Sequence, residues 1–299
     1  MREAIDSALA QTYPNIEIIV VNDGSNDNGA TEKIALGYGE KITYIKKENG
    51  GVSSALNAGI EAMRGEYFSW LSHDDKYLPE KIETQVAVLI QYQDDDIIAL
   101  CGSKQINDKS EDLAPAKTNY ATESKVIDWR GALKDVIQSG SYNGCALLIP
   151  RAAFTKCGRF DESLRYSQDF LMWIKLFLGE YKLVHMPGIH VCNRVHDRQL
   201  TQTGRTVFYH DCRVIGDMLL GELSEKSTKE YNFLKSFAIY NAKYNVSDVA
   251  EAYIMRGKKE SLLSVRDVLQ IRAVEAYGRV RPTIRKTYYK LFKHVKTQS

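Results

Sequence analysis

Two adjacent carboxylates, Asp74 and Asp75, follow a short apolar run, EYFSWL at residues 66–71, and precede Pro79, which suits the first turn of a helix. An acidic pair so placed suits Mg²⁺ or Mn²⁺. Mg²⁺ is held through one or two carboxylates, and substrate phosphates and water complete its shell. A cation there would neutralise charge building on a departing diphosphate. The plain alternative is an aspartate that caps the next helix. Two more polar clusters have similar placement: Asp23-Gly24-Ser25 after the run IEIIVVN, and Asn49-Gly50-Gly51 after a second strand-like run. Glycines ahead of a helix let backbone N–H groups approach phosphate; an ordinary turn is the alternative.

The elements that must hold these groups follow from hydrophobic periodicity. Residues 2–10 read as a helix with Ile5, Ala8 and Leu9 on one face. Residues 16–22 are nearly all apolar or β-branched, as in a strand buried on both faces. A helix over 31–38, a strand over 42–46, a helix over 52–63, a strand over 66–71, a helix over 79–92 and a strand over 97–103 follow. This alternation predicts a parallel sheet covered on both sides, with ligands beyond the carboxyl ends of its strands. Residues 104–140 are polar and give no clear assignment. A strand at 145–149, a helix at 169–178 and strand pieces at 182–186 and 190–194 complete the region. Beyond residue 204 strand signals fade, and helices are expected over 207–223, 229–244, 246–256 and 261–277. Two domains are therefore expected, 1–204 and 205–299.

Composition narrows the class. The chain has 299 residues, 44% hydrophobic and 26% charged, which is ordinary for a globular protein. A net charge of +2 gives no global attraction to nucleic acid. The five cysteines, Cys101, Cys145, Cys157, Cys192 and Cys212, show no C-x-x-C spacing, so neither a disulfide framework nor a zinc site is supported. No apolar run reaches the length of a membrane span, and the first residues lack the apolar core of a secretory signal. A cytoplasmic location is expected. Residues 279–299 hold seven Lys/Arg and no Asp or Glu, interleaved with apolar residues at helical spacing. Such a segment suits a membrane surface or packs as a solvated face.

The stretch EIIVVNDGS, then ENGGVSSALNAGIEAMRGEYFSWLSHDD, then PEKIETQ resembles the nucleotide-sugar-dependent glycosyltransferases of family 2. Further on, CGRFDE at 157–162, YSQD at 166–169 followed by Trp173, and RVHDRQ at 194–199 resemble that family's later segments in the same order. The resemblance covers residues 1 to about 200. It implies an α/β GT-A fold, Rossmann-like, with a mostly parallel central sheet and helices on both faces, here joined to a helical C-terminal region. It departs in three places: Ser72 stands where an acidic residue is common, Gln168 stands where Glu is common, and the family's first strand has no counterpart. An internal methionine of a longer enzyme and a truncated copy are both compatible with that third departure.

Carried over by position, the resemblance implies that Asp23 contacts the donor's base and Asp74 lies near ribose and diphosphate. Asp75 would bind the metal, with His196 reaching it or the diphosphate, and Arg64 would contact the diphosphate or stand as a solvated charge at a helix end. Asp169 would be the general base. A single displacement at a sugar carbon needs one such base beside the acceptor hydroxyl, although an aspartate opening a helix can also be its cap. The expected activity is an inverting, metal-dependent transfer, with Mg²⁺ or Mn²⁺, from a nucleotide-diphosphate sugar to a glycan or lipid-linked acceptor. It would serve cell-surface polysaccharide synthesis at the inner face of a membrane. A catalytically impaired nucleotide-sugar binder is the non-enzymatic rival. A nucleotidyltransferase would need a Gly-rich, basic first loop that this sequence lacks.

Overall fold

The computed structural model describes residues 1–113, 121–196, 205–222 and 233–293. The chain divides into two compact units, Met1–Arg205 and Thr206–Ser299. The first unit begins α1 (Arg2–Leu9), β1 (Ile19–Asp23), α2 (Ala30–Leu36), β2 (Thr43–Lys47), α3 (Val52–Ala62), β3 (Tyr67–Phe68), β4 (Lys76–Tyr77), α4 (Lys81–Tyr92) and β5 (Ile97–Ile106). It continues with β6 (Lys125–Ile127), α5 (Trp129–Ser139), β7 (Leu147–Pro150), α6 (Ala152–Cys157), α7 (Gln168–Leu178) and β8 (Lys182–Arg194).

Part of the stretch without a clear sequence assignment is ordered by a cap and a stop. Asp128 Oδ1 accepts the Gly131 N–H at 2.8 Å and opens α5. Gly140, at φ 94°, ends it in the left-handed region. Between them Ala132, Leu133, Val136 and Ile137 form one buried stripe. α5 packs on α7, in which every residue from Phe170 to Phe177 except Lys175 is buried.

β1 and β2 form a parallel two-stranded sheet. A second sheet has the order β3-β7-β5-β8-β4, with β6 also paired to β8. In it β5 and β8 run parallel, whereas β3–β7, β5–β7, β4–β8 and β6–β8 are antiparallel. The sheet is therefore mixed. The two strand pieces expected at 182–186 and 190–194 are one strand, bent at Pro187-Gly188. Gly188 takes φ 90°, and the register against β5 slips between Leu100 and Ser103. A bulge is where a sheet tolerates proline, which has no N–H to give the ladder.

The apolar run at 66–71 yields only two residues of regular strand, because a strand is regular where it has a neighbour to bond. β3 has β7 on one side. Its other edge, and the edge of β1 away from β2, carry no ladder among the described residues and face a common groove of about 550 Å³. What holds the run extended is a buried cation. Lys81, wholly buried, donates from Nζ to Ser69 Oγ and Gln85 Oε1, both at 2.8 Å, and lies 4.3 Å from the Tyr77 ring centre. Tyr77 Oη in turn donates to the Trp70 carbonyl at 2.5 Å. Burial lowers the Lys81 ammonium to about 8.

The second unit holds α8 (Arg205–Glu222), α9 (Phe233–Lys243), α10 (Ser247–Lys259) and α11 (Val265–Lys293). Leu219, Phe237, Tyr253, Ile254 and Ile271 form its buried centre. The Phe237 and Tyr253 rings stack at 5.6 Å, and Tyr253 Oη donates to the Gly216 carbonyl at 2.7 Å. The backbone of α11 runs into the basic segment. Of that segment's cations Arg279 is described, paired with Glu275 at 2.6 Å; the side chains from 280 onward lie outside the described residues. No described helix is long and apolar enough to cross a membrane.

Gly144 sits in the turn before β7, where an added Cβ would stand 2.3 Å from a Trp70 ring carbon. Gly144→Ala should cost about 1–3 kcal/mol by overpacking. Calorimetry should show Tm falling by several degrees, and an unchanged Tm would mean that the ring is free to move aside.

Candidate functional site

β1 ends in Asp23, whose carboxylate is the knot of a loop. Oδ1 accepts from Lys47 Nζ at 2.6 Å and from the Gly50 N–H at 3.0 Å; Oδ2 accepts the Gly51 N–H at 2.7 Å. The Asp23 carbonyl accepts from Asn49 Nδ2 at 2.8 Å. Burial pushes this carboxyl up, but Lys47 and the two glycine N–H groups outweigh it, so it stays below the usual carboxylate range. Gly51 takes φ 88° as α3 begins, and a Cβ there would meet Arg165 Nη1 at 2.5 Å. Asp23 thus fixes the opening turn of α3 through both of its carboxylate oxygens.

The acidic pair divides inward and outward. Asp75 is 6% exposed. Its Oδ1 accepts the Arg194 N–H at 2.8 Å, and its Oδ2 accepts from Asn193 Nδ2 at 3.0 Å and from Cys145 Sγ at 3.4 Å. Burial raises the Asp75 carboxyl above its ordinary range, opposed by the Arg194 N–H and reinforced by the charge of Asp74. Cys145, expected to serve as a small apolar residue, is also a donor. Burial pushes its thiol up to about 12, so it keeps its proton. Asp74 Oδ2 lies 3.0 Å from His196 Nε2, and both side chains are partly open, at 17% and 24%.

Among the described residues no group of three or more His, Cys, Asp or Glu side chains is placed to hold a metal ion. The donors that face outward are Asp74 and His196, while Asp75, the expected ligand, has both oxygens engaged inside the protein. Two protein donors, completed by phosphate oxygens and water, fit a cation that arrives with a diphosphate.

Asp169 opens α7 from a recessed position, partly exposed yet surrounded by protein. Its Oδ2 accepts from Ser141 Oγ at 3.0 Å and its Oδ1 from the Phe170 N–H at 2.7 Å. Burial raises this carboxyl to about 6, against those two hydrogen bonds. The same loop reaches the acidic pair. Asn143 Nδ2 donates to Asn193 Oδ1 at 2.7 Å, and Asn193 donates on to Asp75. Trp173 Nε1, one turn into α7, donates to the Tyr142 carbonyl at 3.2 Å.

Asp23 and Asp74 face one groove, and Asp169 joins the pair through residues 141–143. Arg64 does not belong with them. It lies past the far end of α3, with its side chain 85% exposed beside Glu17, and the 11 residues of α3 separate it from Gly51, about 16 Å at 1.5 Å per residue. The cations near the opening of α3 are Lys47 and Arg165, and Arg165 Nη1 donates to the Gly50 carbonyl at 3.1 Å. Sequence reasoning missed Arg165, Ser141, Asn143 and Asn193. For Asn193 alone a weak signal existed: a polar residue at the end of a buried strand.

The model for "Glycosyl transferase family 2" matches residues 1–157. An uncharacterized glycosyltransferase of Rickettsia typhi is 52% identical over 205 residues, which are 68% of this chain and 62% of that protein. The minor teichoic acid biosynthesis protein GgaB of Bacillus subtilis is 25% identical over 291 residues, 90% of this chain and 30% of that one. The chain thus spans less than two thirds of the length of these relatives. The crystal structure of S. aureus TarS 1-349 in complex with UDP-GlcNAc superposes with a TM-score of 0.63 at 17% identity, covering 93% of this chain and 87% of that one. That likeness concerns the fold, which is the GT-A arrangement. With a family match over more than half its length, the chain belongs to glycosyl transferase family 2.

Proposed function

We propose that the chain transfers a sugar, with inversion, from a nucleoside-diphosphate sugar to a hydroxyl of a glycan or lipid-linked acceptor in cell-surface polysaccharide assembly. The observation that carries this reading is the bonded run from Asp169 through residues 141–143 and Asn193 to Asp75. It ties a carboxyl raised to about 6 to the acidic pair. The relative named for teichoic acid synthesis supports the product class, and the bound UDP-GlcNAc of the TarS complex supports the donor class.

Asp169, ionised, takes the proton of the acceptor hydroxyl as that oxygen attacks the sugar carbon. Ser141 holds one carboxylate oxygen in place. The bond to the diphosphate breaks on the opposite side, near Asp74. Asp74 and His196 would hold a divalent cation there, and the chemistry such a cation supplies is neutralisation of charge on the leaving group. Asp75 positions Asp74 and the end of β8 without touching substrate.

Asp169→Asn should lower the transfer rate by at least about 10²-fold and leave donor affinity unchanged; transfer that survives would put the base elsewhere. Because the ionised form is the active one, the rate should fall as pH drops through about 6 and level off above it. The acidic pair should separate by readout. Asp74→Asn should raise the Mn²⁺ concentration needed for half-maximal activity by at least about tenfold. Asp75→Ala should instead cost about 1–3 kcal/mol of stability, because it strips buried donors of their acceptor. Mn²⁺ titrations and melting curves distinguish the two.

Residues 279–299 would bring the enzyme to an anionic membrane surface, at about 1 kcal/mol per Lys or Arg. The full chain should sediment with anionic liposomes and a 1–278 truncation should not.

A further inference from the structure

We propose that Tyr142 and Asp135 are positioning residues for the transfer: the bond between them sets the loop that carries Ser141 to Asp169 and Asn143 to Asn193. The inference rests on the reading of Asp169 as the base. It adds two residues that act on that carboxylate only through the loop.

The loop runs from Ser141 to Asn143, between Gly140, which ends α5, and the turn into β7. Burial alternates along it. Tyr142 is 8% exposed, whereas Ser141 and Asn143 are half-buried. Side chains that alternate in this way leave on opposite faces of the backbone, as in a strand. One inward anchor therefore aims two outward contacts. Ser141 Oγ reaches Asp169 Oδ2 at 3.0 Å, and Asn143 Nδ2 reaches Asn193 Oδ1 at 2.7 Å.

The anchor is held from three elements. Its ring stands edge-on to Phe177 of α7 and to His185 of β8, with centres 6.1 Å away in each case. The Tyr142 carbonyl accepts from Trp173 Nε1 at 3.2 Å. That bond ties the backbone to α7 and leaves the depth of the ring to its tip. Apolar packing has no direction, so rings in contact can slide. The hydroxyl supplies the direction. Tyr142 Oη donates to Asp135 Oδ2 on α5 at 2.6 Å, a bond of the stronger, charge-assisted kind. The Ala132 carbonyl, at 3.5 Å, is a poorer acceptor. Burial pushes the Tyr142 hydroxyl up, so it keeps its proton and remains a donor.

The titratable groups around the anchor leave that bond intact at neutral pH. His185 Nε2 lies 3.8 Å from the same Asp135 oxygen, is buried and has no hydrogen-bond partner among the described residues. Burial lowers its imidazole, with Asp135 opposing and Lys125 of β6 adding to the effect. A neutral His185 leaves the oxygen to Tyr142. At Asp169, burial raises the carboxyl to about 6, and the Phe170 N–H and the Ser141 hydroxyl keep it from rising further. A loop that drifts gives up the Ser141 share, because hydrogen bonds to the ionised form are what lower a carboxyl.

The test follows the Asp169 carboxyl by carbon-13 NMR on the full chain labelled at aspartate, its signal identified by its loss in Asp169→Asn. The wild type should titrate at about 6. Tyr142→Phe keeps the ring and removes its bond, and should move the midpoint up by at least about half a pH unit. Asp135→Leu should do the same. Asp135→Asn keeps an acceptor oxygen and should titrate as the wild type does. Combining Tyr142→Phe with Asp135→Leu should shift the midpoint no further than either change alone, since both remove one bond. The inference is overturned if Tyr142→Phe leaves the midpoint in place, if Asp135→Asn shifts it as far as Asp135→Leu, or if the double variant shows the sum of the two shifts; none of these results touches the base reading. Transfer retained by Asp169→Asn removes the base reading, and this inference with it, even where the titrations come out as expected.

Discussion

The Arg194 backbone N–H donating to the Asp75 carboxylate is the contact on which the working end of the first unit depends. Asp75 follows β3 and Arg194 closes β8, so one buried bond joins chain segments more than a hundred residues apart. A carboxylate this buried needs its partners, because removing one leaves an uncompensated polar group inside the protein. Arg194 then gathers the surroundings with its side chain. It donates to the carbonyls of Asp74 and Asn107 and to Ser110 Oγ and Glu3 Oε2. The turn after β3, the end of β5 and the first helix are all placed by this one residue.

This explains why two neighbouring aspartates do different work. Asp75 is spent on the fold, and its inward turn leaves Asp74 facing outward beside His196. Asp169 is held by an equivalent device, a loop whose polar side chains end on Asn193. Asp169 and the acidic pair therefore share one hydrogen-bonded frame, and their spacing does not rest on long flexible side chains.

Much of this was legible in the sequence. The β-branched run of β1 and the small residues of α3 announced their elements, and an acidic pair directly after an apolar run announced its place at a strand end. The division within the pair was not legible, because it depends on Arg194, Asn193 and Cys145, far away in sequence. Arg64 was carried to the diphosphate by resemblance alone, and its exposure beyond the end of α3 fits the alternative of a solvated helix-end charge. Ser141 and Asn143 draw their importance from partners that no local pattern reveals. Strand direction in the mixed sheet was equally hidden, since it is set by the end to which each connection delivers its strand. Among the described residues β3 bonds β7 over two residues only, a limit that hydrophobic periodicity does not register.

The open edges of β1 and β3 also bear on solubility. An unpaired edge is a template on which further chains can stack into growing sheets. Here the opening is rimmed by carboxylates, Glu17 at one end and Asp23 and Asp74 at the other. Glu17 is paired with Arg64 and Asp23 with Lys47, so the ends of the opening hold charged, hydrated groups that a second apolar edge would have to desolvate before stacking there.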